Sequence, residues 1–176
     1  AFFDKSLNLH NPADGLSTAQ NFLRVLRDDK SYTEDEARLL DLCLCVHAEH
    51  GGGNCSTFAC RVLASSGSDT YSAISAAIGA LKGPRHGGAN IKVQEMFDCI
   101  KKNVKDIHNE DEVASFLLKI LKGEANDGSG LIYGMGHAIY TKSDPRAVML
   151  KTYAKKLAYA KGFGEDFELL EQIETI

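Results

Sequence analysis

Residues 81–90 read Leu-Lys-Gly-Pro-Arg-His-Gly-Gly-Ala-Asn and place a histidine between two helical patterns. An apolar helical run ends at Leu81, and the Gly-Pro pair breaks it, because glycine permits backbone angles that other residues avoid and Pro84 fixes its own. His86 then stands just before the second helical pattern. Free N–H groups at a helix N-terminus make the local potential positive, which favours a neutral imidazole that can donate a hydrogen bond to a developing oxyanion. Taken alone, the segment fits a Gly/Pro turn with an incidental histidine equally well.

Helical periodicity continues on both sides of this turn and predicts an all-α fold, since β-branched alternation is essentially absent. Capping residues mark several helix starts, among them a capping box formed by Thr33 and Glu36. The predicted helices cover residues 14–27, Thr33 to the glycines at 51–53, Asn54 or Ser56 to about Ala64, 70–81 with Asp69 as cap, 89–102, 109–122, 145–161 and 164–176.

Two segments have an unusual composition. The helix predicted at 70–81 consists mainly of serine, alanine and glycine, and such small side chains let neighbouring helices approach closely, so we expect this helix to be buried. The connection from 123 to 144 contains five glycines and is longer than compact domains usually leave without a function.

Charge and hydropathy exclude several functional classes. The chain has 176 residues, a formal charge of −4 and a pI near 5.9, with no basic stripe, so we expect neither a nucleic-acid nor a membrane-surface partner. No apolar run approaches the roughly 18–20 residues that cross a bilayer, and the first residues do not resemble a signal peptide.

The cysteines predict reduced thiols. Their count is odd, at five, and no pair has C-x-x-C spacing, so we expect a cytoplasmic protein with no structural zinc. Three of the cysteines lie in or beside helical patterns, and we expect these three to pack in the core. The run His47-Ala48-Glu49-His50 matches neither H-E-x-x-H nor H-x-x-E-H. No metal site is therefore predicted.

Three histidines, His50, His86 and His137, stand in three glycine-rich turns, and Arg146 follows the last of them. Glycines beside each histidine leave room for a ligand to approach the backbone, and a guanidinium matches the geometry of a carboxylate. Because the same turns contain few carboxylates, this set predicts an anionic substrate with a carbonyl group to be polarised.

These motifs together resemble the citrate synthase family. The resemblance rests on four segments in order, which are 47–54 (His-Ala-Glu-His-Gly-Gly-Gly-Asn), the small-residue helix at 71–81, residues 83–90 around His86, and 134–140 (Gly-Met-Gly-His-Ala-Ile-Tyr) through Asp144-Pro145-Arg146. His50 and His86 are 36 positions apart and His137 and Arg146 are nine apart, as the family pattern expects. The match covers most of the chain from about Thr33 onward.

The resemblance implies an acyltransferase of the tricarboxylic acid cycle that condenses acetyl-CoA with oxaloacetate. His86 would hydrogen-bond the thioester oxygen, and His137 would donate to the carbonyl oxygen of oxaloacetate. His50 and Arg146, together with His137, would bind oxaloacetate. The residues implied in coenzyme A binding are Leu131, Ile132, Tyr133, Gly134, Met135 and Gly136, with Lys142 as a weaker candidate for a phosphate. Acetyl-CoA would be a substrate, and no covalently bound cofactor is implied.

One family residue has no counterpart. The aspartate that removes the methyl proton lies in a Pro-Asn-Val-Asp-like segment well beyond the matching histidine, whereas only 39 residues follow His137, and the context of Glu165, Asp166 and Glu168 does not match. We therefore expect these 176 residues alone to have little activity. The implied division is 1–54 as flanking helices of the large domain, 55–82 as connecting buried helices, and 83–176 as the small, coenzyme A-binding domain, incomplete on its C-terminal side.

Alternatives remain open. The shared motifs do not separate citrate synthase from methylcitrate synthase, which uses propionyl-CoA. A helical module that binds anionic metabolites or a partner chain without catalysis is the alternative from another class. Since members of the family form dimers, the resemblance also implies a homodimer.

Overall fold

The computed structural model describes residues 9–48, 53–136 and 143–176, and in these ranges the chain forms eight α-helices and no strand, which confirms the all-α fold class. The helices are α1 (Thr18–Leu26), α2 (Glu34–Ala48), α3 (Cys55–Ser65), α4 (Thr70–Leu81), α5 (Ala89–Asn103), α6 (Glu110–Leu121), α7 (Pro145–Ala160) and α8 (Gly164–Thr175). None of them combines the length and the apolar character that a bilayer crossing requires.

Side-chain caps begin α2 and α4 at the predicted places. At the start of α2, Glu36 N donates to Thr33 Oγ1 at 3.2 Å, and Thr33 N donates to Glu36 Oε2 at 2.7 Å, which is the predicted capping box. At the start of α4, Ser72 N donates to Asp69 Oδ1 at 3.0 Å. Local hydrogen bonds that the sequence already contains therefore determine where these helices start.

Helix α1 begins later than its periodicity predicts. The apolar spacing starts at Asp14, but a second capping box places the N-cap at Ser17, which accepts a hydrogen bond from Gln20 N while the Gln20 side chain accepts one from Ser17 N. Gly15, with φ at +76°, lies in a left-handed conformation that is incompatible with a helix passing through it. The cap takes precedence over the apolar spacing here.

The helices belong to two compact units, which we call the first unit and the second unit. The described residues of the first unit are 9–48 and 143–165, and those of the second unit are 53–136 and 166–176.

In the first unit, α2 packs against α1 and α7, and a charged network joins their ends. Both Oε atoms of Glu36 accept hydrogen bonds from the Arg27 guanidinium, at 2.8 and 3.0 Å, and Lys161 Nζ lies 2.9 Å from Oε1. The Glu36 side chain is only 9% exposed. Two cations therefore compensate the burial of one carboxylate.

In the second unit, helices α5, α6 and α8 enclose the main hydrophobic cluster. Its buried members are Met96, Phe97, Ile100, Val104, Val113, Leu117, Ile120, Leu169 and Ile173. These residues recur at helical spacing on the facing sides of the three helices, which is the pattern that the sequence predicts for α5 and α6.

Helices α3 and α4 form a hairpin in the second unit, and the expectation that the small-residue helix is buried is wrong. Ala73 is the one buried residue of α4, whereas Tyr71 is 87% exposed and Ile78 61% exposed. The small residues bring α4 close to α3 as expected, but one neighbouring helix covers only one face of α4. The rest of its apolar surface faces solvent.

The cysteines are not core residues either. All five lie within the described ranges, none forms a disulfide, and each is exposed or half-buried. The prediction of free thiols therefore fits the structure, but the prediction of core packing is wrong, because the helices that carry the five cysteines present them at partly solvated positions.

Candidate active site

The turn that carries His86 is closed by backbone hydrogen bonds. His86 N and Gly87 N both donate to the Gly83 carbonyl oxygen, at 2.9 and 3.0 Å. Helix α5 follows with Gly88 as its N-cap, and Gly88 supplies no side-chain cap. His86 thus lies two residues before the N-cap of α5, as predicted, and the first N–H groups of α5 have no side-chain acceptor at Gly88.

Glycine is required in this turn for space rather than for backbone angles. None of Gly83, Gly87 and Gly88 has a positive φ, so the expectation of unusual angles is wrong. A Cβ atom at Gly87 would lie 2.2 Å from the Leu81 carbonyl oxygen, and one at Gly88 would lie 2.4 Å from that of Pro84. Only glycine allows the chain to fold back this closely on the end of α4.

A hydrogen-bonded pair from α3 holds the imidazole. His86 Nε2 lies 3.1 Å from Ser56 Oγ, and Ser56 Oγ lies 2.6 Å from Asn54 Oδ1. The same Asn54 oxygen caps α3 by accepting from the backbone N–H groups of Ser56 and Thr57, at 2.9 and 3.3 Å. The start of α3 therefore fixes the orientation of the half-buried His86 ring.

The hairpin brings these residues together although they are 30 positions apart. Helices α3 and α4 have 11 and 12 residues and are joined by a short turn at 66–69, so at about 1.5 Å per residue they have nearly the same length. The start of α3 must then lie beside the end of α4. The sequence predicts Asn54 and Ser56 as candidate caps of α3, and the equal lengths of the two helices are the signal that could have placed them beside His86.

The segment Leu131–Gly136 lies against the same helix that follows His86. The side chains of Ile132, Tyr133 and Met135 pack on the hydrophobic cluster. Gly134 has φ at +83°, and a Cβ atom there would lie 3.0 Å from Val93 Cγ2. Val93 is the fifth residue of α5, about 6 Å from its start, so α5 carries both the His86 turn and this segment near its N-terminal end.

Arg146 lies in the first unit, in the first turn of α7. Asp144 is the N-cap of α7 and accepts from Arg146 N at 2.9 Å, and the same carboxylate accepts from Arg146 Nε at 3.0 Å. The Arg146 side chain is 40% exposed and the Asp144 side chain 16% exposed. The guanidinium is thus oriented by a carboxylate while part of it still faces solvent.

Three predicted site residues, His50, His137 and Lys142, lie outside the described residues. Of the predicted set, the structure places His86 and the 131–136 segment on one unit and Arg146 on the other. The chemistry that it displays directly is that of a single oriented imidazole at the start of a helix, beside a structured loop.

The family model for the citrate synthase C-terminal domain matches residues 3–176, so this chain belongs to the citrate synthase family. The citrate synthase of Deinococcus radiodurans is 39% identical over 165 residues, which are 94% of this chain and 40% of the relative. The 2-methylcitrate synthase of Shewanella oneidensis is 33% identical over 165 residues, with the same two coverages. The chain therefore spans about 40% of the length of these relatives.

Solved structures agree with the fold. The citrate synthase of Pyrobaculum aerophilum superposes with a TM-score of 0.76 at 32% identity, over 98% of this chain and 40% of that chain. A citrate synthase of Thermoplasma acidophilum, solved as a ternary complex with carboxymethyl coenzyme A and oxaloacetate, superposes with a TM-score of 0.71 at 30% identity, over 93% and 40% of the two chains.

Proposed function

We propose that this chain is the part of a citrate synthase that polarises the two reacting carbonyl groups and binds coenzyme A. The observation that carries the proposal is the His86 imidazole, held by Ser56 beside the start of α5. A neutral imidazole there is suited to donate a hydrogen bond to a thioester oxygen as negative charge develops on it.

The hydroxyl of Ser56 determines which nitrogen of His86 donates. It carries one proton and lies within hydrogen-bond distance of both Asn54 Oδ1 and His86 Nε2. In the structure this proton is donated to Asn54 Oδ1. When the hydroxyl turns to donate to Nε2 instead, the neutral ring carries its own proton on Nδ1 and can offer it to the substrate. We propose that this arrangement operates with the thioester bound.

The remaining roles follow the family resemblance. His137 would polarise the carbonyl of oxaloacetate, while His50 and Arg146 bind its carboxylates. The segment 131–136 would receive the adenine of coenzyme A, and Lys142 would bind a phosphate. We assign residues 83–176 to the coenzyme A-binding domain, residues 55–82 to the connecting helices and residues 1–54 to the flanking helices of the large domain.

The proposed reaction has two steps. A base removes a methyl proton from acetyl-CoA, the resulting enolate carbon attacks the carbonyl carbon of oxaloacetate, and the carbonyl oxygen takes up a proton, for which His137 is the proposed donor, to form citryl-CoA. Water then cleaves the thioester to give citrate and coenzyme A. The aspartate that serves as base in the family has no match among these 176 residues, and general-base catalysis is typically worth about 10²–10⁴ in rate. We therefore expect the 176 residues alone to turn over slowly.

Replacing His86 tests the catalytic proposal. In the whole protein that contains this chain, His86→Ala should lower kcat in a thiol-release assay by about 10²–10³, as the loss of one oxyanion donor does elsewhere. The matched control is His108→Ala, which removes an exposed histidine of the same unit. Equal turnover of the His86→Ala variant and the wild type would instead favour a non-catalytic module that binds anionic metabolites.

The choice of acyl group needs a separate measurement, because the relatives include a 2-methylcitrate synthase at 33% identity beside a citrate synthase at 39%. We propose acetyl-CoA as the preferred substrate because the citrate synthase is the more similar of the two. The ratio of kcat/KM for acetyl-CoA to that for propionyl-CoA distinguishes the two activities. A ratio below one would assign the chain to the methylcitrate synthases.

A second copy of the chain is the partner that we propose. The α3–α4 hairpin exposes a set of apolar side chains, namely Phe58, Val62, Tyr71, Ile74, Ile78 and Leu81, and the small residues of α4 permit close approach. Sedimentation at increasing concentration should show a homodimer, and a monomer throughout would contradict this. The cytoplasm is the proposed compartment because the five thiols are free.

A further inference from the structure

Asp127 is an exposed residue in the long connection before the 131–136 segment, yet its carboxylate has several hydrogen-bond partners. Asp127 Oδ2 accepts a hydrogen bond from the Tyr133 hydroxyl at 2.7 Å, and Asp127 Oδ1 accepts one from Ser129 N at 3.1 Å. The hydroxyl groups of Tyr133 and Ser129 lie 3.1 Å apart. Asp127 thus connects two later positions of the loop, one of them inside the segment proposed to receive adenine.

The same carboxylate ties the loop to α5. Lys92 Nζ lies 3.4 Å from Asp127 Oδ2 and 2.9 Å from Glu95 Oε2, so the ammonium bridges the loop and the helix. Lys92 is the fourth residue of α5 and precedes Val93, which lies beside Gly134. Two adjacent residues of α5 therefore contact the loop, Lys92 through the Asp127 carboxylate and Val93 through Gly134.

These partners keep the carboxylate ionised. Hydrogen bonds from Ser129 and Tyr133, and then the ammonium of Lys92, hold the pKa of Asp127 well below its usual range. Because charged acceptors make the stronger hydrogen bonds, the Tyr133 hydroxyl has a firm acceptor at neutral pH.

The backbone of the loop gives a reason why it needs such a tie. Several of its residues adopt positive φ, namely Gly123, Asn126, Gly128, Gly130, Gly134 and Gly136. A chain this rich in glycine loses much conformational entropy when it orders. Side-chain contacts that order the loop before the ligand binds reduce the entropic cost of binding, because less of the loop remains to be ordered.

We propose that Asp127 is a positioning residue for coenzyme A, which holds Tyr133 and Lys92 so that the 131–136 segment is already shaped for the adenine ring. This inference rests on the proposed function, since it assumes that the segment binds coenzyme A. It adds a residue that lies outside the binding segment and acts through it.

Binding measurements on the 176-residue chain test the inference. Titration calorimetry should show coenzyme A binding about tenfold more weakly to Asp127→Asn than to the wild type, with oxaloacetate affinity unchanged. The control Glu124→Gln makes the same charge change three residues earlier and should leave both affinities unchanged. Asp127→Glu, which retains the charge, should recover part of the loss. A merely structural role would lower both affinities together.

A double-variant cycle examines the network itself. Tyr133→Phe removes the hydroxyl that donates a hydrogen bond to Asp127. The Asp127→Asn/Tyr133→Phe double variant should therefore bind coenzyme A no more weakly than whichever single variant binds it less tightly. Additive losses would overturn the coupling.

Two outcomes separate this inference from the proposed function. If the wild-type chain binds coenzyme A and Asp127→Asn binds it equally well, the inference is wrong and the proposed function stands. If the wild-type chain binds no coenzyme A, the proposed binding role of this chain is wrong, and the inference falls with it.

Discussion

The second unit contains two helical assemblies that differ in how far they bury their apolar residues. In the α5–α6–α8 cluster, Ile100 is completely buried, and eight further apolar residues are nearly so. In the α3–α4 hairpin, the comparable Ile78 remains 61% exposed. Both assemblies consist of regular helices, so helix formation alone does not separate them. The difference lies in how many neighbouring helices cover each face.

The comparison separates residues that stabilise the unit from residues that serve the site. The hydrophobic cluster supports α5, which carries the His86 turn at its start and contacts the 131–136 segment. The hairpin buries little apolar surface, but it delivers Asn54 and Ser56 to the His86 ring and leaves an apolar face open. Substitutions in the two assemblies should therefore have different consequences.

The largest expected effect is on the buried cluster. Ile100→Ala removes three carbon atoms from a fully buried side chain, and such truncations cost about 2–5 kcal/mol because the lost burial is compounded by a cavity. Urea unfolding followed by circular dichroism measures the change. The matched control Ile78→Ala makes the same truncation on the hairpin and should cost less than about 0.5 kcal/mol in dilute solution. Equal losses would contradict the contrast between the two assemblies.

A smaller effect is expected at Glu36 in the first unit, where charge rather than apolar contact accompanies burial. Glu36→Gln removes the carboxylate shared by Arg27 and Lys161, and charged hydrogen bonds are worth about 1.5–3 kcal/mol. Both cations stay partly solvated, so we expect Glu36→Gln to lower the free energy of unfolding by about 2 kcal/mol, as measured by urea unfolding at neutral pH.

The pH dependence gives this prediction a sign. The Arg27 guanidinium, and then Lys161, lower the pKa of Glu36 well below its ordinary value of 4.5. A lowered pKa in the folded state contributes stability that is present above pH 4.5 and is lost as the pH falls below it. The wild type should therefore lose stability more steeply below that pH than Glu36→Gln does. Parallel curves for the two proteins would show that the carboxylate is not stabilised by its partners.

Local signals in the sequence were sufficient for most of the fold. The capping box of Thr33 and Glu36 begins α2 and Asp69 begins α4 where predicted, because each cap depends on residues three positions apart. The start of α1 was misplaced by four residues, since its apolar spacing continues past the second capping box at Ser17. Signals of short range therefore predict helix bounds well, except where two of them compete.

Burial and the site required information that the sequence does not state locally. Whether Ile78 is covered depends on which helix packs beside α4, and the small residues of α4 predict close approach without saying on how many sides. The contact of Ser56 with His86 arises from the similar lengths of two helices, and the contact of Asp127 with Tyr133 from a folded glycine-rich loop. Family motifs supplied the predicted site residues, but not Ser56 and Asp127, which contact two of them.

A loss of stability smaller than that at Glu36 is expected at Asn54, the N-cap of α3 at the base of the hairpin. Asn54→Ala removes the oxygen that accepts from two backbone N–H groups and from the Ser56 hydroxyl, and the loss of an N-cap costs about 1 kcal/mol. The freed hydroxyl should then donate to His86 Nε2, which nitrogen NMR of the ring detects as a shift of that signal. Asp69→Ala, which removes the cap of α4 far from His86, should cost similar stability and leave the ring signals unchanged.

The smallest effect on the isolated chain is expected on the open face of the hairpin, where a second copy is proposed to pack. Ile78→Ser should change the unfolding free energy of dilute protein by less than about 0.5 kcal/mol, since the side chain is mostly in water in both states. At high concentration the wild type should gain stability from association, because whatever binds only the folded state stabilises it, and Ile78→Ser should lose that gain. Leu118→Ser on α6 removes an equally exposed apolar residue of the same unit and should keep the concentration dependence. If Leu118→Ser abolished it and Ile78→Ser did not, the partner surface would lie on α6, and the open hairpin would serve only to deliver Ser56 to the imidazole.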